Sequence, residues 1–226
     1  KENPDYQPQK ASNTTPLLLG AVAVVLIALV VGGFVWNANK SQPPVDDKVL
    51  AENASFIVGD QTAPTTVDVF EDFNCPHCNE MESQSGPALS AAASSGKLRV
   101  RYHLLNFMDS KSESGDYSSR AAGAIACVAE HGDAPLFQRL HTELFKMAGS
   151  DPSNERIAEV AGQSGAGDEV QMCIREGALV EEAKKMADQS AQQLRNSNDG
   201  QVATPTVLLA GEPVDDIMNG DSWVTE

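Results

Sequence analysis

Basic residues are scarce in this chain. Its 226 residues hold 16 Lys and Arg against 32 Asp and Glu, for a net charge of −16. Phosphate binding needs a basic stripe, so nucleic acid is excluded as a partner, and the acidic surface is assigned to solubility. Cysteine is also scarce, with four in the chain. A hydrophobic content of 41% supports a packed core without a metal or a dense disulfide framework. No internal repeat appears. A zinc site at the one C-x-x-C would need two more ligands at suitable spacing, and no closely spaced His pair follows it. A c-type haem would need His directly after the second cysteine, where Asn79 stands. No metal and no cofactor are expected.

One long apolar run is present. Leu17 to Trp36 is twenty residues without a charge, or ~30 Å as a helix, the thickness of a bilayer core. A cleaved signal peptide would have a shorter apolar region and small residues at the cleavage site. Trp36 occupies such a position and suits an interfacial belt instead. The reading is an N-terminal segment at 1–16 on the cytoplasmic side, one uncleaved transmembrane helix at 17–36, a linker at 37–53 and a domain at 54–226. Lys1 and Lys10 balance Glu2 and Asp5, so flanking charge gives no orientation and residues 37–226 carry the whole −16. The linker contains Asn37, Asn39, Ser41, Pro43, Pro44, Asp46 and Asp47 and lacks periodic apolar positions.

The most informative residues are Cys75-Pro76-His77-Cys78. They sit where an extended run with Val67, Val69 and Phe70 turns helical. Two sulfurs at this spacing can close a disulfide across one helical turn. The first then lies at a helix N-terminus, where unpaired N–H groups and the positive dipole end favour a thiolate. The thiolate is the species that attacks or leaves in disulfide exchange.

Around this motif the pattern is β-α-β. Residues 55–58 and 65–70 read as strands. Pro76 opens a helix at its first position, Pro87 lies inside that helix and should bend it, and Gly96 ends it. Leu98 to Leu105 reads as a third strand. About Ser118 to Asn196 reads as helices, with apolar faces at Ala121, Ala124, Ile125 and Val128, then at Val170, Cys173 and Ile174 after Asp168 as N-cap, then at Val180, Ala183, Ala187, Ala191 and Leu194. Thr206 to Leu209 returns to strand. The chain stops soon after Trp223, so a closing helix is expected to be incomplete.

A β-α-β start bearing C-P-H-C, a helical insertion, and Ala203-Thr204-Pro205-Thr206 before a strand resemble the DsbA family of thiol:disulfide oxidoreductases, and most nearly its membrane-tethered, MdbA-like branch. The resemblance covers about residues 54–222. It implies an α/β thioredoxin fold with an all-helical insertion at about 107–197. It implies that Cys75 is the exposed, attacked sulfur and Cys78 the buried resolving one, with Pro76 and His77 tuning redox strength. Pro205 would be a cis-proline facing the pair, and Thr204 would offer its backbone to an extended substrate. A cationic His77 would favour the thiolate. His103, His131 and His141 read as ordinary strand or helix residues.

One departure is notable. Thioredoxin-like proteins often place a buried carboxylate six residues before the first cysteine, where this chain has Val69. Glu71 and Asp72 are candidates to take the proton of Cys78, but they read more simply as solvated loop acids. Cys127 and Cys173 remain. If the first pair is bonded, they have only each other, and they form either a bridge between helices in an oxidising compartment or two buried thiols.

The expected function is an extracytoplasmic, membrane-anchored, monomeric disulfide oxidase. Its partners would be reduced exported proteins and a membrane reoxidant of VKOR or DsbB type. A reductase or isomerase on the same fold, and a non-enzymatic peptide-binding assembly factor, are the alternatives.

Overall fold

The computed structural model describes residues 42–224. The expected N-terminal segment and transmembrane helix lie outside the described residues. Among the described residues, no helix is long and apolar enough to cross a membrane.

A five-stranded sheet in the order β1-β3-β2-β4-β5 organises the domain. Its strands are β1 (Phe56–Val58), β2 (Thr65–Glu71), β3 (Leu98–Leu104), β4 (Thr206–Leu209) and β5 (Glu212–Pro213). β2 and β3 run parallel, with Val69 opposite Tyr102 and Glu71 opposite Leu104. The other pairings are antiparallel. Helix α2 (Pro76–Ser94) connects β2 to β3 and buries Cys78, Met81, Ser85, Leu89 and Ala93 along one stripe. Pro76 at the first helical position has no N–H to leave unpaired. The chain leaves α2 through Gly96 at φ +71°, a left-handed conformation that suits glycine.

Between β3 and β4 lie α3 (Tyr117–His131), α4 (Ala134–Lys146), α5 (Asn154–Gln163), α6 (Asp168–Glu176) and α7 (Val180–Ser197). A disulfide joins Cys127 of α3 to Cys173 of α6, with the Cα atoms 5.9 Å apart. Two sequence-based expectations need correction. The N-cap of α6 is Gly167, and Asp168 is its first helical residue, where an acid still favours the helix dipole. The linker expected over 37–53 contains a helix, α1 (Asp47–Glu52), capped by the Asp46 carboxylate. A six-residue helix with Leu50 as its single buried residue is too short to show periodicity.

The sheet is buried on both faces. Val67, Val69, Val100, Tyr102 and Val207 pack into the main core with α2 and the helical insertion. Phe70, Leu105 and Leu208 pack on the other side with Leu50, Ala187 and Leu194. That second side also holds a buried ion pair. Arg101 is 4% exposed and donates to both oxygens of Asp68, each at 2.7 Å, and to Asp47 Oδ1 at 2.6 Å. His103 pairs with Asp68 at 2.8 Å and with Ser190 of α7 at 2.9 Å. Burial works against the Asp68 carboxylate, but hydrogen bonds from His103 and Arg101 outweigh it and hold its pKa below the usual range.

Removing Arg101 leaves Asp68 buried without its main counter-charge. Arg101→Met is expected to lower stability by about 3–5 kcal/mol in denaturant titration at neutral pH. The loss should shrink as pH falls through the carboxylate range, because Asp68 in the variant can then take up a proton. A pH-independent loss would contradict this account. The Cys127–Cys173 bridge closes a loop across a separation of 46 residues. Replacing both cysteines with Ala should cost about 4 kcal/mol on the chain-entropy model, with redox chemistry at Cys75 and Cys78 retained.

Candidate redox site

The site begins with the chain's exit from β2. Asp72 is fully buried. Its Oδ1 accepts from the Asn74 amide at 2.9 Å and from Ser118 Oγ of α3 at 2.5 Å, and its Oδ2 accepts from the Met108 amide at 3.0 Å. Its backbone carbonyl accepts from the Cys75 amide at 2.9 Å. Asn74 adds bonds to the Met108 carbonyl and the Gly149 amide. These contacts fix the four residues that deliver Cys75 to the end of α2.

Cys75 is the N-cap of α2, in extended conformation. Both cysteines are thiols in this structure. Cys75 is only 5% exposed, and Cys78 is fully buried. The sulfur expected to be exposed is therefore recessed, because the loop before β4 lies against it. The Thr204–Pro205 peptide bond is cis, and the Thr204 carbonyl is 3.5 Å from Cys75 Sγ. Among the described residues, Thr204 Oγ1 is buried without a hydrogen-bond partner of ordinary geometry, and it lies close enough to both sulfurs to lower their pKa.

The two sulfurs differ sharply in acidity. Cys75 is lowered to about 5, first by the hydrogen bond from the Cys78 thiol, with burial opposing and the Thr204 side chain and the backbone N–H groups of Cys78 and His77 assisting. Cys78 is pushed far upward, mainly by burial, then by its bond to Cys75 and by the charge on Glu71. His77 acts on the sulfur through its backbone. Its side chain is exposed, with Nδ1 3.5 Å from Glu80 Oε2.

Glu71 and Asp72 are not the solvated loop acids that their sequence context suggests. Both are fully buried. Burial raises Asp72 to about 6 against its hydrogen bonds. It likewise raises Glu71 to about 6, with His141 pulling it down and Glu82 and Cys75 pushing it up. His141, read from the sequence as ordinary, is 1% exposed. Its Nε2 lies 2.9 Å from Glu71 Oε2 and its Nδ1 3.5 Å from Glu82 Oε1. A signal was present in both cases. Glu71 shares the two-residue period of Val67 and Val69, and His141 lies four residues from both Phe137 and Phe145.

A thioredoxin family model matches residues 51–225, most of the chain. The chain belongs to the thioredoxin family. Within that family, its fold is similar to the MdbA protein, a thiol-disulfide oxidoreductase from Corynebacterium diphtheriae. The TM-score is 0.68 at 26% identity, covering 84% of this chain and 97% of that one. It is also similar to oxidised DsbA of Mycobacterium tuberculosis, with a TM-score of 0.58 at 30% identity, covering 70% of this chain and 84% of that one. Among curated proteins it matches the serine/threonine-protein kinase PknE of Mycobacterium tuberculosis, at 34% identity over 153 residues. That stretch is 65% of this chain and 27% of PknE, so this thioredoxin-family chain spans about a quarter of that relative.

Titrating the reduced protein by thiolate ultraviolet absorbance should give one midpoint near 5, the value of Cys75, and Cys75→Ser should abolish it. A midpoint near 8.5, the ordinary thiol value, would contradict the assignment.

Proposed function

We propose that this protein is a disulfide oxidase that introduces disulfides into exported proteins outside the cytoplasm. What carries the reading is the contrast between an acidic Cys75 and a strongly suppressed Cys78 at one helix N-terminus. A stabilised thiolate favours the reduced protein, so its disulfide is given up readily. Each tenfold gain in acidity corresponds to ~30 mV for a two-electron couple. The similarity to the MdbA thiol-disulfide oxidoreductase supports the reaction class.

The reaction starts from the Cys75–Cys78 disulfide. A substrate thiolate attacks Cys75 Sγ, the S–S bond breaks, and Cys78 leaves as a thiolate that takes up a proton. A second substrate thiolate attacks the substrate sulfur of the mixed disulfide and expels Cys75 as a thiolate. The substrate gains a disulfide and the protein holds its two electrons. Thr204, before the cis proline, offers its backbone to an extended substrate segment, and its hydroxyl, beside both sulfurs, can donate to a developing thiolate. Reoxidation runs the steps in reverse, and Glu71 is the base that accepts the proton of Cys78. In this reading residues 17–36 anchor the domain to the cell membrane as a monomer, and a membrane partner of VKOR or DsbB type returns the electrons to a quinone.

The test is to incubate the oxidised protein with a reduced, unfolded substrate protein and to titrate the pair against glutathione. Substrate disulfides should form in step with protein thiols, at an oxidising equilibrium, and Cys75→Ser should abolish the reaction. A strongly reducing equilibrium would identify a reductase. Peptide binding that persists in Cys75→Ser, with no thiol oxidation by the wild type, would identify a binding module.

A further inference from the structure

A cluster behind the cysteine pair, with Glu71 and His141 buried and Glu82 partly so, joins three elements. Glu71 ends β2, Glu82 lies on α2 one turn past Cys78, and His141 comes from α4 of the helical insertion. The His141 ring nitrogens face the two carboxylates, at 2.9 Å and 3.5 Å. Only a doubly protonated ring presents an N–H toward both, as a hydrogen bond to Glu71 and an ion pair with Glu82. Four aromatic rings surround it. The centroids of Phe73, Tyr102, Phe137 and Phe145 lie 5.4, 5.2, 4.9 and 5.1 Å away, within range of a cation–π attraction. One oxygen of each carboxylate, Glu71 Oε1 and Glu82 Oε2, is buried without a hydrogen-bond partner among the described residues. Gly86 gives the Glu82 carboxylate its room, since a Cβ there would come within 2.3 Å of Oε1. Glycine inside a helix costs about 1 kcal/mol relative to alanine, and here it leaves space for a side chain that turns back toward His141.

We propose that His141 is a positioning residue for the redox reaction: held as an imidazolium between Glu71 and Glu82, it keeps Glu71 ionised with Oε1 free to take the proton of Cys78. This inference rests on the oxidoreductase reading of the site. The charged or titratable groups that act on the cluster are Glu71 from β2, Glu82 from α2, Tyr102 from β3, and Cys75 and Cys78 through Glu71. The two carboxylates overcome burial and raise His141 to about 10, so the cation persists across the working range. Without it, Glu71 would face burial and Glu82 unaided and would hold a proton at neutral pH. Cys78 would then have no base.

The chemistry can be followed with glutathione disulfide as the oxidant. The Cys75 thiolate attacks it, forming Cys75–S–S–glutathione and releasing one glutathione thiolate. Cys78 gives its proton to Glu71, attacks Cys75 Sγ and expels the second glutathione thiolate. Two electrons pass to glutathione, and the proton leaves through Glu71.

The experiment traps the Cys75–glutathione mixed disulfide by acid quench and follows it by mass spectrometry across pH, in wild type, His141→Gln and His141→Lys. The wild type should resolve it quickly at neutral pH. His141→Gln should resolve it several-fold more slowly there and recover as pH rises, because a Glu71 pushed above the working pH keeps only a minor ionised fraction, which falls tenfold with each further unit. His141→Lys keeps a cation and should restore the wild-type profile. If His141→Gln resolves the adduct like wild type at every pH, or if Lys rescues nothing, the proposal is overturned. Nitrogen NMR of the wild type supplies a check independent of variant folding: both ring nitrogens of His141 should be protonated at neutral pH. A neutral ring, or one bound metal ion per chain ligated by His141, would overturn it as well. A wild type that fails to oxidise protein thiols counts against the oxidase reading alone, because the glutathione reaction needs no protein substrate and still judges His141.

Discussion

A negative charge on Cys75 Sγ is the state around which this domain is arranged. The sulfur sits at the N-cap position of α2, receives a hydrogen bond from the Cys78 thiol, and is stabilised by the backbone N–H groups of His77 and Cys78. Donors fixed by a helix do not have to reorganise when the charge forms, and burial of the site strengthens each of them while excluding water. The same burial penalises Cys78, so one environment separates the two thiols into an acid and a reluctant one. Reactivity then follows from which sulfur holds the helix end and which lies beneath it.

Fixing that helix end takes structure from distant parts of the chain. Asp72 ties the approach to Cys75 to Ser118 on α3 and to the Met108 amide, and Asn74 reaches Gly149. The cis Thr204–Pro205 segment closes the other side. On the opposite face of the sheet, Arg101, Asp68 and His103 hold α1 and α7 in place. Buried ion pairs contribute little net stability, but each is costly to break. They therefore fix one arrangement of strands and helices more than they strengthen it.

Much of this was legible in the sequence. The C-P-H-C motif, the β-α-β frame, the helical stretch and the strand after Pro205 each rest on local patterns of a few residues. What escaped sequence reading depends on partners far along the chain. Glu71 and Asp72 look like loop acids because the groups that bury them, Ser118 and His141, are contributed by α3 and α4. Val69 stands where a carboxylate is common in the family, yet Glu71 falls on the same strand face two residues closer to the cysteines, so the acid is displaced along the strand and kept on the same side. His141 reads as an ordinary helix residue; its four-residue spacing from Phe137 and Phe145 would have placed it in the core, but its charge becomes visible only when two carboxylates are found on either side of the ring. α1 was missed because one buried leucine in six residues carries no period.

The placement of Glu71 sets two demands against each other. An ionised carboxylate near the site opposes the Cys75 thiolate, and the same charge raises Cys78. The first effect weakens an oxidant, and the second keeps Cys78 a thiol in the resting dithiol. A buried thiol, however, cannot lose its proton to bulk water quickly, and the attack of Cys78 on a mixed disulfide requires that it does. Once Cys75 is tied up in a mixed disulfide its own charge is gone, and with it the hydrogen bond and charge by which it suppresses Cys78. The two acidities approach each other at the step where the proton must move. A base that is unfavourable in the resting dithiol thus becomes useful in the intermediate, and the cation beside it limits how much the resting state suffers.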